Sequence, residues 1–572
     1  MKLIISSYLR TLKERDEFDR LLPDLVTAMG YTSVAKPQAG VRQYGVDLPV
    51  VGINPKDGIE ELVLFTIKQG DVGHQNWNNG PQAVWQSLID ILDVYLLKHV
   101  EPAYTDLRKR VIVATTGDLK QDTLQTWTAF VEKHAGEATL EFWSGDKVAE
   151  LVEQFMLDEH VFVDQDRMDL RKALAFAGER DYSMVDLTRM LLRQLGLDGS
   201  GNRLELPKDG KPLAKAMIRL NLALQMFVKA AQDAGDAKQA LIATELFILK
   251  AWHRIQRSDG DKKKPAYEAF NHLLGTYFDA AVQYFEKMLP YMTVRDGMSG
   301  YSHESTEYAV VLLEHVGIVA SIGLAFMLCG GVPNGRQNAE NIADGLSAML
   351  KNMTATASPR LDENAIDVAL ALLLLVITGR TAQSRRWLKE LCWRLDFSFI
   401  REIDFPVSSD SLDDLVDFKV TPDKEMLSVL MGASWLTATV ATWCVVLGMD
   451  DSYAILSRGV AERYQTVTPQ LWHPDLSSMD IWYFEAAHAT TGSTEAPFAL
   501  PAAPEILLAR MQSFLALDDR DVQSVSPAAE MSVYGLDFIA CRHYRTPVPA
   551  RVWYGLSTRE RPEEDVIEQS AE

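Results

Sequence analysis

The sequence predicts an α/β domain at the N-terminus, a central mixed sheet flanked by helices, followed by a large all-α C-terminal region. Three observations carry this expectation. The 572 residues are 47% apolar and 24% charged, the balance of an ordinary globular protein. The hydrophobic pattern changes near residue 165: strand-like and helix-like segments alternate before it, and nearly every apolar run after it has helical spacing. The elements of the first part follow the order α-β-β-α-β-α-β-α, which fits a layered α/β sandwich. At roughly 150 residues per domain the length fits three to four domains. The expected divisions are 1–165, a helical sensing or assembly region 166–479, a smaller cap 480–556 and a disordered acidic tail 557–572.

Leu12 to Met29 has apolar residues at helical spacing, with Pro23 as a bend and Gly30 as the stop. Val46–Ile53 and Glu61–Lys68 read as strands joined by the turn Asn54-Pro55-Lys56-Asp57-Gly58. Pro81–Lys98 is a helix with Pro in its first turn. Arg110–Thr115 is a strand, Asp122–His134 a helix capped by Asp122, Thr139–Trp143 a strand and Asp146–Phe155 a closing helix. Beyond residue 165, amphipathic helices are expected around Met184–Leu195, Leu213–Ala234, Ala237–Gln256, Ala266–Leu289, Thr306–Leu328, Gln337–Met353, Asn364–Thr378, Arg385–Leu395, Met426–Leu447 and Ala454–Tyr464. No segment repeats at a fixed period, so a regular solenoid is not supported.

Lys and Arg number 57 against 79 Asp and Glu, a net charge of −22. Residues 1–160 carry 16 Lys and Arg against 24 Asp and Glu, so neither part is basic. Bulk charge therefore argues against a protein that coats nucleic acid, though not against a local cationic cleft. The four cysteines, Cys329, Cys392, Cys444 and Cys541, have no CxxC spacing. They suit buried free thiols in a reducing cytoplasm rather than a disulfide or zinc framework. The start lacks a secretory apolar run. Met426–Met449 is uncharged over a length that could span a bilayer, yet acids flank both its ends. Tyr308–Val332 contains Glu314 and His315, and Ala365–Gly379 contains Asp367. Buried helices, not membrane spans, are expected at all three.

The chemistry is concentrated in the predicted hairpin. Asp47 opens the first strand and Lys68 closes the second, so the two can converge at one sheet edge. Side chains alternate along a strand, which puts Leu62, Leu64, Thr66 and Lys68 on one face. An acid at such an edge can hold Mg²⁺, and a lysine beside it can orient an attacking water or offset phosphate charge.

The segments EFDRLLPDLVTAMGY, YGVDL, LFTIKQGD, VIVATTG and EFWSGDKVAELV, in that order, resemble the PD-(D/E)XK restriction-endonuclease-like fold, in particular its Mrr-type branch. The resemblance covers roughly residues 10–160 and implies cleavage of DNA phosphodiesters with Mg²⁺ or Mn²⁺. It implies that Asp47 binds metal and that Lys68 positions the water. Thr66 stands where the family has its second acid, so the site lacks one negative ligand there. Asp19 or the adjacent Glu17 matches the family's acid on the first helix, and Asp19 would share the metal. Gln69 continues the motif strand. Gln82 and Gln86, one turn apart on the next helix, match positions that often touch the site. Asp71 is a further candidate acid.

Other DNA-contact candidates are His74, the run Arg108-Lys109-Arg110 and the run Lys262-Lys263-Lys264, the last near His253, Arg254 and Arg257. Arg380, Arg385, Arg386 and Lys389 form a similar basic group. Each has a plain alternative as a solvated surface residue. No phosphate loop, dinucleotide fingerprint, HExxH or GxSxG motif occurs. Two readings follow: a metal-dependent endonuclease of restriction or anti-phage defence, or a non-catalytic nuclease-fold scaffold in a multi-subunit assembly. Expected partners are DNA and a protein partner or a second copy of the chain, with no membrane.

Overall fold

Five strands form one mixed sheet: β1 (Thr32–Ser33), β2 (Leu48–Ile53), β3 (Glu60–Lys68), β4 (Arg108–Thr115) and β5 (Thr139–Trp143). They lie side by side in chain order. The first two pairings are antiparallel and the last two parallel. The β2–β3 hairpin closes where the Gly58 amide donates to the Asn54 carbonyl, 2.8 Å. Parallel neighbours need a crossover, and helices supply both. Helices α1 (Asp19–Ala28), α2 (His74–Asn78), α3 (Val84–Asp90), α4 (Gln121–Lys133) and α5 (Gly145–Leu151) surround the sheet. The helical chain continues from α3 through a wider turn at Ile91–Tyr95 to Lys98. The computed structural model describes residues 9–10, 18–34, 44–54, 57–78, 83–156, 164–179, 182–301, 304–464, 466–474, 482–485, 492–516 and 526–556.

β3 is the central strand and is buried along nearly its whole length, which explains its unbroken apolar run. Leu62, Leu64, Val111 and Val113 on one face pack with Leu88, Ile91, Trp127 and Phe130 from the two crossover helices. Trp77 of α2 joins this layer, edge-on to Trp127 at 6.1 Å and to Phe130 at 5.8 Å. On the opposite face Phe65 meets Trp143 edge-on at 5.2 Å. α5 packs on β4 and β5, and its N-cap Ser144 accepts from the Lys147 amide. The helix expected to be capped by Asp122 begins at Gln121, so Asp122 lies in its first turn.

The chain packs as two compact units, Met1–Gly235 with Asp259–Leu273, and Asp236–Ser258 with Leu274–Glu572. The first unit extends past the expected division at 165 because the helix Lys211–Asp233 packs on α1. His272 adds to it, with Nε2 3.5 Å from Asp24 of α1. The second unit is mainly helical. Its helix Ser305–Leu328 packs against the helices Gly335–Asn352, Asn364–Ile377 and Gly535–His543. This is the one helix among the described residues long and apolar enough to cross a membrane, and most of that stretch is buried inside the protein. Two short strand pairs, Ala433–Ser434 with Thr468–Pro469 and Leu471–Pro474 with Gly492–Glu495, also lie in this unit. The four cysteines are buried thiols.

The helix expected over Met426–Leu447 is not continuous. It divides into Lys424–Leu430 and Trp435–Val446, with the strand residues Ala433–Ser434 between them. Buried Asp362 holds the break: its carboxylate accepts from the Ser434 hydroxyl (2.8 Å) and from the Trp435 (2.6 Å) and Leu436 (3.2 Å) amides. These amides are orphan donors at a helix start, which a carboxylate satisfies.

Candidate active site

The residues that bring Asp47 to the sheet edge begin with Gly45. Its φ is +80°, and a Cβ there would sit 2.2 Å from the Ser87 carbonyl oxygen of α3. Only glycine lets the chain enter β2 this close to the helix. The Asp47 amide then donates to the Phe65 carbonyl, 2.8 Å, one step beyond the Leu48–Phe65 pair. That register sets Asp47 opposite Thr66, so their side chains share a face with Lys68.

Asp47 Oδ2 accepts from the Ile67 amide at 2.7 Å and from the Thr66 hydroxyl at 3.4 Å. Thr66 is wholly buried, and Asp47 and Lys68 are partly buried. Burial pushes the Asp47 carboxyl above its ordinary pKa; the Ile67 amide, the Lys68 ammonium and the Thr66 hydroxyl pull it back, and the charge of Asp19 pushes it up again. Asp19, at the start of α1, is therefore within electrostatic reach. The hairpin brings Asp47, Thr66 and Lys68 together at one sheet edge.

The loop that follows Lys68 is clamped to the loop after β4. The Gly70 amide donates to Thr116 Oγ1 at 2.9 Å, and Thr115 Oγ1 donates back to the Gly70 carbonyl. Asp71 Oδ1 accepts from the Asp118 amide at 3.0 Å. Asp71 therefore ties two loops together, with Lys120 3.8 Å away. Gln69 is exposed just past Lys68, and His74 is exposed at the start of α2. Gln86 Nε2 donates to Asp90 Oδ1 at 2.8 Å, one turn along its own helix. Glu17 and Gln82 lie outside the described residues, as does the tail 557–572.

The run Arg108-Lys109-Arg110 is not brought to this corner. In the β3–β4 register Arg108 pairs with Glu61 and Thr115 with Lys68, which separates the two ends by about 23 Å along the strand. Expected as phosphate contacts, these side chains are instead engaged within the protein. Arg110 pairs with buried Glu61 at 2.8 Å, and Arg108 pairs with Glu61 at 2.6 Å and Asp57 at 2.5 Å. Lys109 Nζ donates to the Thr105 carbonyl. Lys262, Lys263 and Lys264 stand at the start of the helix Lys263–Met292, with Lys262 3.6 Å from Asp259. Sequence reasoning missed Glu61 as the centre of this network, because its partners come from other strands.

Among the described residues no three His, Cys, Asp or Glu side chains converge as a metal cluster. Asp47 and Asp19 therefore do not suit a cage made wholly of protein. Two carboxylates do suit Mg²⁺, which keeps several waters and takes further oxygens from a substrate phosphate. No protein-family model, curated protein or solved structure matches this chain.

Proposed function

We propose that the chain is a metal-dependent endonuclease acting on DNA phosphodiesters, with a helical region that senses or assembles, in restriction or anti-phage defence. The observation that supports this best is the shared face of Asp47, Thr66 and Lys68 at the end of the hairpin, with Asp19 in reach. Asp47 and Asp19 would hold Mg²⁺ or Mn²⁺, and such a cation supplies Lewis acidity toward a phosphoryl oxygen. Lys68 would orient the water or offset phosphate charge. The backbone amide of Ile67 holds the Asp47 carboxylate in place, so one oxygen is committed and the other is left for a ligand. The resemblance to the PD-(D/E)XK fold supports the same assignment. Since both parts of the chain are acidic, DNA would be held by a local cationic surface, by a protein partner or by a second copy.

A second reading has one observation in its favour. Thr66 is neutral where the family carries an acid, and Asp47 Oδ2 is already satisfied from within the protein. A nuclease fold kept as a binding platform would look the same at these two residues. Incubation of plasmid and linear DNA with Mg²⁺ or Mn²⁺, beside Asp47→Ala and Lys68→Ala, separates the readings. Cleavage by the parent chain and loss in both folded variants is the expected result. Cleavage that survives both variants refutes the assigned site. No cleavage, together with no Mn²⁺ binding that depends on Asp47, favours the platform.

A further inference from the structure

The helix Thr381–Arg401 of the second unit buries Trp387, Leu388, Leu391, Leu395 and Phe399 on one side. On its outer side Arg386, Lys389, Trp393, Phe397 and Arg401 follow at steps of three or four residues, so they form one exposed stripe. Trp393 is 57% exposed and Phe397 51% exposed. Their rings stack, with centroids 5.8 Å apart and planes 18° from parallel. The helix holds five Lys and Arg against two Asp and Glu, a local positive surplus in a chain of net charge −22.

Beside the two aromatics lies a cavity of about 350 Å³, lined also by Arg394, Arg360, Ser358 and Ser398. Its arginines are held in place. Arg394 donates to Glu390 at 2.7 Å and to Ser358 Oγ at 2.7 Å. Arg360 donates to the Asp404 carbonyl at 2.6 Å and pairs with its carboxylate at 3.2 Å.

A lone exposed apolar residue needs no explanation, but two stacked aromatics inside a cationic stripe combine two distinct features. Cations match a phosphate backbone, and aromatic faces match bases. An acidic peptide would use the charge and leave the rings unused. A duplex keeps its bases stacked away from side-chain rings, so the rings call for a single strand. The cavity is of the size that takes a small ligand. We propose that this face binds single-stranded nucleic acid, with phosphates along Arg386, Lys389 and Arg401 and bases on Trp393 and Phe397. The stripe belongs to the second unit and the hairpin to the first, and binding here does not depend on cleavage.

The test is fluorescence polarisation of the full chain with a labelled oligothymidylate of about 20 nucleotides in EDTA, so that no divalent cation takes part. Trp393→Ala and Phe397→Ala are each expected to weaken binding by roughly tenfold. Lys389→Glu should weaken it further at low salt and lower the slope of log affinity against log salt by about 0.7. Because EDTA removes the cation that the hairpin corner would need, this result is independent of the nuclease reading. The stripe residues are exposed, so circular dichroism is expected to show all variants folded. Failure of the parent to bind at low salt overturns the proposal. So does unchanged binding by the double aromatic variant. Displacement of the oligonucleotide by poly-glutamate, with no effect of the aromatic substitutions, would assign the face to an acidic protein instead.

Discussion

Glu61→Gln should destabilise the first unit by about 3 kcal/mol, the lower end of the range for breaking a buried ion pair. Glu61 is wholly buried and accepts from Tyr31 at 2.8 Å, Asn54 at 3.3 Å and Arg108 at 2.6 Å, while pairing with Arg110 at 2.8 Å. The substitution keeps the side-chain volume, so no cavity term enters. It leaves the Arg110 guanidinium, 8% exposed, with Glu141 at 3.4 Å as its one remaining carboxylate, beside the neutral Tyr31 hydroxyl at 3.1 Å. Arg108 suffers less, because it is one-third exposed and keeps Asp57. For a unit of this size about 3 kcal/mol corresponds to a fall in Tm of roughly 6–12 °C. Differential scanning calorimetry of the full chain reads it, with Lys68→Ala as a control expected to move Tm little. A fall of less than about 2 °C, well below that range, would refute the argument that this network is structural. So would a loss of DNA affinity in Arg108→Ala as large as that in Lys68→Ala.

Three other outcomes are expected. Burial raises the Asp24 carboxyl to about 6, with His272 pulling it down, so the folded state holds this proton more tightly than the unfolded state. Its contribution to stability is therefore greatest below about pH 4 and declines as pH rises toward 6; Asp24→Asn should remove that slope and stabilise at pH 7 by up to about 3 kcal/mol, measured by urea denaturation at each pH. Gly45→Ala should cost about 2–5 kcal/mol, from the positive φ and from the clash with the Ser87 carbonyl, and should abolish any cleavage; a Tm equal to that of the parent would refute the close approach. Thr66→Glu adds a buried carboxylate beside Asp47, so it should lower Tm without metal and make Tm rise with Mn²⁺, by the equivalent of about 2.7 kcal/mol at a hundredfold excess over Kd. No Mn²⁺ response in either the parent or this variant would refute a cation site at Asp47.

Much of the framework was legible from local patterning. The expected strand Thr139–Trp143 and helix Ala237–Gln256 have the observed bounds, and the hairpin strands differ by a residue or two at their ends. Their signals are short-range: alternation, apolar run length and a Gly-containing turn. The juxtaposition of Asp47 with Lys68 was legible for the same reason, since a hairpin register follows from its turn. The helix expected to stop at Leu395 runs on to Arg401, and with it come the aromatic stripe and its last arginine. Leu388, Leu391, Leu395 and Phe399 continue its buried period, but Asp396 and Ser398 interrupt the apolar run.

What the sequence determined by itself was the class of the longer elements of the first part, the hairpin corner and the acidic balance, because these depend on residues close in the chain or on simple counts. Tertiary structure alone decided the rest. It turned Arg108 and Arg110 inward, because Glu61 comes from a neighbouring strand in parallel register. It broke the uncharged stretch at Ser434, because Asp362 reaches its amides from 72 residues away. It joined Lys211–Asp233 to the sheet-bearing unit through α1. In each case the deciding partner is distant in the chain, and a buried charge or apolar face takes the partner that the fold brings to it, not the one nearest in sequence.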